Sequence, residues 1–147
     1  MKPDDLYEKD FYAWIQSQTK ALACHNMDLL DIKHLKQELE SMGASERREL
    51  ASRLEQLIMH LLKLKYQPNY INTASWVRSV KEQRKRLEKL LKTMISLKRK
   101  VGEEIVDAYV LAVLKAVDET GLKEETFPKK CPFTIKQLLD ENFYPNQ

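Results

Sequence analysis

Between Ser45 and Pro68 the chain reads SERRELASRLEQLIMHLLKLKYQP, and Leu50, Leu54, Leu57, Leu61 and Leu64 recur at spacings of four, three, four and three. A repeat near 3.5 residues puts these side chains on one face of a helix, and Ile58 and Leu62 widen the stripe. A stripe this apolar must be covered, so the remaining segments have to supply helices that pack around it. Ser45 is the expected cap, Glu46 and Glu49 suit the positive end, and Pro68 forbids continuation. Some twenty residues at about 1.5 Å each make a rod of roughly 30 Å.

After the turn formers Pro68, Asn69 and Asn72, a second rod begins near Ser75. Trp76, Val80, Leu87, Leu90, Met94 and Leu97 keep the alternation of fours and threes, with Gln83 at the heptad position where an apolar residue is missing. Arg84 falls on the adjoining stripe between Val77 and Leu91. A turn near residue 70 folds the two rods into an antiparallel helical hairpin, level at Gln83, Arg84, Gln56, Leu57 and His60.

Further helices are expected on both sides of this hairpin. Asp5 to about His25 reads as one helix, with Asp5 and Glu8 as a capping box and an aromatic face of Tyr7, Phe11 and Trp14. Asp31 to Met42 reads as a shorter helix, with Ile32, Leu35, Leu39 and Met42 inward and Gly43 as its stop. A fifth, about Leu97 to Glu119, has a wide apolar arc and Ala108, Ala112 and Ala116 for close approach, which places it deep in the bundle; Gly121 ends it. The tail is broken by Pro128 and Pro132, then helical from Thr134, with Phe127, Phe133, Phe143 and Tyr144 as anchors. The expectation is a single all-α domain over residues 1–147, a bundle of about five main helices with a short C-terminal one.

Composition narrows the function classes. Three Gly and five Pro in 147 residues are too few for the turns of a β-sandwich. No apolar run reaches about 18 residues, so no membrane span is expected, and MKPDDLYEKDF lacks the apolar core of a signal peptide. Cys24 and Cys131 stand alone, which indicates neither a zinc site nor a disulfide framework and makes a reduced, cytoplasmic setting the default. His34 and Glu38 are four apart on a helix, but no second pair matches them, so no metal or other cofactor is expected. There is no nucleophile elbow and no phosphate-cradling glycine loop, which points away from an enzyme.

Two constellations remain. Arg53, Gln56, His60, Gln83 and Arg84 gather at the middle of the hairpin, with Glu38 as an acceptor from the flank. They read either as a pocket, with His60 as base or ligand and Arg84 holding an anion, or as a satisfied polar network that fixes helix register. The balance falls on the network. The second constellation is charge: residues 76–100 hold ten Lys or Arg against two Glu, a net of +8, while residues 1–75 carry −1 and residues 101–147 carry −4. Arg78, Lys81, Lys85, Lys89 and Lys92 share the face opposite the seam. That stripe reads as a solvated back, or as a surface for phosphates or an acidic partner, although no aromatic is interleaved for base stacking.

The run quoted above, the following SWVRSVKEQRKRLEKLL and the closing TGLKEETFPKKCPFTIKQLLDENFYP together resemble the bacterial domain of unknown function 29 family, from DFYAWI onward. The resemblance implies an all-helical, cytoplasmic bacterial protein and brings no chemistry to any residue. Two positions depart from the family pattern: Met94 to Leu97 where Ser-Pro-Ser-Leu is frequent, and Leu64 and Lys65 where Trp and Gln are frequent. The expected function is a non-enzymatic interaction or accessory module for a protein partner, and the alternative is a nucleic-acid-associated protein using the basic face. Neither reading sets an oligomeric state.

Overall fold

The computed structural model describes residues 2–146, and among these the structure is all-helical. Six α-helices follow in order: α1 (Pro3–Lys9), α2 (Phe11–Ala23), α3 (Ile32–Tyr66), α4 (Thr73–Thr93), α5 (Val101–Thr120) and α6 (Ile135–Leu139). Short 3-10 turns occupy Met27–Leu29, Ile95–Lys100 and Glu124–Thr126. The chain forms two compact units, one up to Glu46 and one from Arg47 onward, and α3 contributes to both. Met1 and Gln147, the ends of the expected domain, lie outside the described residues. No helix among the described residues is long and apolar enough to cross a membrane.

In the amino-terminal unit the expected single helix is two. Asp10 leaves helical geometry (φ −149°, ψ 83°) and its carboxylate accepts the Ala13 N–H at 3.1 Å, so Asp10 caps α2. Asp5 and Glu8 lie inside α1, which starts at Pro3 without a side-chain cap. His25, at φ 54°, turns the chain after α2. The Asp31 carboxylate then accepts the His34 N–H at 3.3 Å and starts α3.

Gly43 does not stop this helix: α3 runs unbroken for 35 residues. A glycine ends a helix by taking a positive φ, and Gly43 is not among the residues that do. Held in a helix it costs about 1 kcal/mol against alanine, and Met42, Ala44 and Glu46 around it are good helix formers. Ser45 is accordingly a mid-helix residue and not a cap. The inward stripe expected on residues 32–42 is also corrected. Ile32, Leu39 and Met42 are 59%, 66% and 65% exposed, and Leu35 is half-buried. The face turned inward carries Asp31 and His34 instead.

The unit from Arg47 onward is built around the stripe seen in the sequence. Leu50, Leu54, Leu57, Ile58, Leu61 and Leu62 are fully buried and join Val80, Leu87 and Leu91 of α4 and Ile105, Ala108, Ala112 and Ala116 of α5 in one core. Lys63, near the end of α3, lies over the ring of Trp76 near the start of α4 at 4.8 Å, as an antiparallel hairpin requires. Helix α5 runs parallel to α3, because Arg47–Glu104, Glu55–Lys115 and Lys63–Glu119 pair in rising order along both. The alanine stripe packs as expected, yet α5 is covered on one side only. Val106, Val110 and Leu114 are 67%, 58% and 52% exposed, so the wide apolar arc does not place it deep.

Met94 ends α4 without a proline, and the chain passes through the Ile95–Lys100 turn into α5. Gly121, at φ 74°, ends α5. Phe127 and Phe133 are buried, Phe143 and Tyr144 pack against the core, and Thr134 with Gln137 forms a capping box that starts α6.

Candidate functional site

The polar residues at the middle of the hairpin do not converge. Arg84 is 6% exposed and turns to the tail: Nε donates to the Leu138 carbonyl at 2.9 Å, one Nη to Phe143 at 2.7 Å and the other to Gln137 at 2.9 Å. Tyr144 stacks at 5.3 Å from the guanidinium. Gln137 and Leu138 belong to the last turn of α6, whose carbonyls have no helical partner, so a cation from α4 caps a five-residue helix. Asn146 does the same for α3, donating to the Leu64 and Lys65 carbonyls at 3.3 and 3.1 Å, at the position where the sequence departs from the family pattern.

The other members have separate partners. Glu38 lies in the amino-terminal unit and accepts from the Tyr7 hydroxyl, so it does not answer Arg84 or Gln83. Arg53 donates to Ser52 Oγ at 3.2 Å, and its Nε sits 3.5 Å from Glu49, an ion-pair distance without hydrogen-bond geometry. His60 donates from Nδ1 to the Gln56 carbonyl one turn back, at 2.7 Å. Among the described residues that bond alone links two of the six.

Gln83 is 8% exposed and its Oε1 is buried with no hydrogen-bond partner among the described residues. An unanswered buried carbonyl costs about 1–3 kcal/mol, so Gln83→Leu is expected to stabilise the protein by about 1 kcal/mol. Chemical denaturation measures this, and a loss above about 1 kcal/mol would show that the amide serves a partner after all.

Burial lowers the pKa of His60 below 6.5, and the nearby Lys63 adds to the effect. The folded state therefore binds its proton less readily than the unfolded chain. The stability this residue supports is complete above the unfolded value near 6.5 and falls as pH drops toward the lowered folded value. Unfolding free energy is expected to decline from pH 7 to pH 5, and His60→Gln should flatten that slope. An unchanged slope in the variant would contradict this assignment.

Helix α4 exposes Arg78, Lys81, Lys85, Lys89 and Lys92, and none of the five forms an ion pair among the described residues; Arg86 pairs with Glu82 beside them. Next to Arg84, a groove of about 550 Å³ is lined by Lys81, Lys85, Glu88, Leu139, Glu141 and Asn142.

The amino-terminal unit holds a further polar cluster. Asp31 accepts from the Trp14 indole at 3.0 Å and from the His34 ring at 2.7 Å, and Gln18 Oε1 takes the Asp31 N–H at 2.7 Å. Tyr7 stacks on His34 with ring centres 3.8 Å apart. The donation to Glu38 pushes the Tyr7 hydroxyl up to about 12. Burial alone would raise the Asp31 carboxyl, but bonds from His34 and Trp14 outweigh it and hold it below its ordinary value. The only sequence signal is Trp14 and His34 at helical spacing from polar neighbours.

Around this cluster the same unit leaves large apolar side chains in solvent, among them Tyr12 at 70%, Met27 at 69% and Leu29 at 56%, besides the α3 stripe.

No curated protein and no solved structure matches the chain. The family model that does match is Domain of unknown function DUF29, over residues 6–144, and the chain belongs to that family.

Proposed function

We propose that this is a non-enzymatic interaction module whose amino-terminal unit presents an apolar helical surface to a protein partner. The observation that carries the reading is the exposure of Tyr12, Met27, Leu29, Ile32, Leu39 and Met42 within one small unit. Scattered single apolar residues need no explanation, but so many in some forty residues mark a surface that is covered in use. The polar groups of the hairpin support the same reading, because Arg84, His60 and Glu38 are each committed to a carbonyl or a local partner and the six do not converge on one pocket. The variant Tyr12→Ser/Met27→Gln/Leu39→Glu is expected to keep its helicity and lose the captured partner. Capture that survives all three changes would contradict the reading.

A second reading rests on the five cations of α4 that form no ion pair among the described residues, which follow one another at about 4.5–6 Å along the helix, a spacing suited to successive phosphates. Binding of a fluorescent oligonucleotide would then fall with a log–log salt slope of about 3 to 5. Lys81→Glu/Lys85→Glu/Lys89→Glu would abolish it without loss of helicity. Affinity indifferent to salt would exclude this reading.

A further inference from the structure

We propose that residues 39–45 of α3 are a hinge, a helical link that opens locally while the structure on either side stays folded. This goes beyond the interaction reading and holds whatever covers the amino-terminal unit. A helix packed on a core exposes its residues in short runs, because one face is always covered. Elsewhere in the helices no more than three consecutive described residues are exposed. From Leu39 to Ser45 all seven are, about two full turns without a covered face.

The ties that hold α3 stop before this stretch and resume after it. Glu38, just before it, accepts from the Tyr7 hydroxyl. Arg47, two residues after it, bonds to Glu104 at 3.0 Å, and Leu50 is fully buried. Within the stretch, the one side-chain bond among the described residues is the Lys36–Glu40 pair at 3.2 Å, exposed and internal to the helix. The division between the two compact units falls at the end of the same stretch, between Glu46 and Arg47.

Helix without tertiary support is held by propensity alone, and each residue then adds little. Ser41, Gly43 and Ser45 alternate through the link. Glycine is the poorest helix former after proline, and serine hydroxyls offer the backbone competing bonds once the helix loosens. Neither packing nor backbone geometry calls for a glycine here. A methyl group at Gly43 would meet nothing within 4 Å, and Gly43 is not among the residues with positive φ. What the glycine contributes at this position is ease of opening.

Hydrogen exchange reads that opening directly. Amides of residues 41–46 are expected to exchange faster than those of α2 and of residues 54–62. Gly43→Ala should slow them about fivefold and leave residues 54–62 unchanged. Link amides as slow as those of residues 54–62, or indifferent to Gly43→Ala, would overturn the proposal.

A second variant asks whether each side stands without the continuous helix. Gly43→Pro removes one helical N–H and crowds the Leu39 carbonyl, so it breaks α3 at this point. The indole resonances of Trp14 and Trp76 are expected to stay in place. Spin labels on the exposed Cys24 and on Arg78→Cys, with Cys131 changed to serine, should give a broad distance distribution. It should narrow in Gly43→Ala and widen in Gly43→Pro. Loss of the Trp14 resonance in Gly43→Pro, or one narrow distance in all three proteins, would overturn the proposal.

Discussion

Arg84→Met is expected to destabilise the protein by about 3–5 kcal/mol and to release the tail from residue 134 onward. The guanidinium makes three bonds to carbonyls of three different residues, Gln137, Leu138 and Phe143, from a position 6% exposed. Hydrogen bonds with a charged partner contribute about 1.5–3 kcal/mol each, and three on one group are less than additive. Helix α6 has five residues and cannot persist on propensity alone. Its capping box fixes the start, and Arg84 fixes the end. Burial pulls the Arg84 pKa down, with Tyr144 and Asp140 pulling it back, and a guanidinium stays charged across the physiological range. Arg84→Lys should recover only part of the loss, because one ammonium cannot reach three diverging carbonyls. Hydrogen exchange over residues 134–146 checks this directly. A tail that stays protected in Arg84→Met, with stability within about 1 kcal/mol, would show that the aromatic anchors suffice.

Asp31→Ala is expected to unfold the amino-terminal unit at a cost of about 3 kcal/mol, while the unit from Arg47 onward keeps its structure. The carboxylate caps α3, holds the His34 ring and takes the Trp14 indole N–H, so its loss strands two buried donors and one helix start. A cap is worth about 1 kcal/mol and each stranded buried donor about 1–3. Few apolar side chains of this unit are buried, chiefly Trp14 and Ala21, so little else offsets the loss. The indole N–H resonance of Trp14 should move toward that of an exposed tryptophan, and that of Trp76 should stay. The same group sets an acid limit. With its folded pKa below 3.8, its contribution is complete above that value and is lost as pH falls through the lowered one. Retention of the Trp14 resonance in Asp31→Ala would show that the stacked Tyr7, His34 and Phe11 hold the unit by themselves.

The parts of the fold legible in sequence are those that periodicity reports. The Leu50–Leu64 stripe, the hairpin around Pro68, the alanines of α5 and the glycine at 121 all have one physical meaning, and the structure uses each that way. Periodicity names a face without naming its cover. Ile32, Leu39 and Met42 make as good a stripe as Leu50 and Leu54, yet one stands in solvent and the other is fully buried. Gly43 reads as a stop because glycine often is one. Whether it takes a positive φ depends on its neighbours, and here Ala44 and Glu46 carry the helix on. The partners of Arg84 are out of reach for a different reason. They are backbone carbonyls, which every residue has, so no side-chain pattern announces them. Glu38 is a suitable acceptor on charge alone, and only the packing of Tyr7 assigns it elsewhere.

The function proposed for this protein is presentation of its amino-terminal unit to another protein chain. The most direct test is capture from a lysate by tagged protein, with and without nuclease, comparing the wild type with the Tyr12→Ser/Met27→Gln/Leu39→Glu and Lys81→Glu/Lys85→Glu/Lys89→Glu variants. The expected result is a captured protein that survives nuclease, is lost from the apolar variant and is kept by the basic-face variant. Capture that vanishes on nuclease treatment and on loss of the lysines, while the apolar variant retains it, would contradict the account and assign the function to α4.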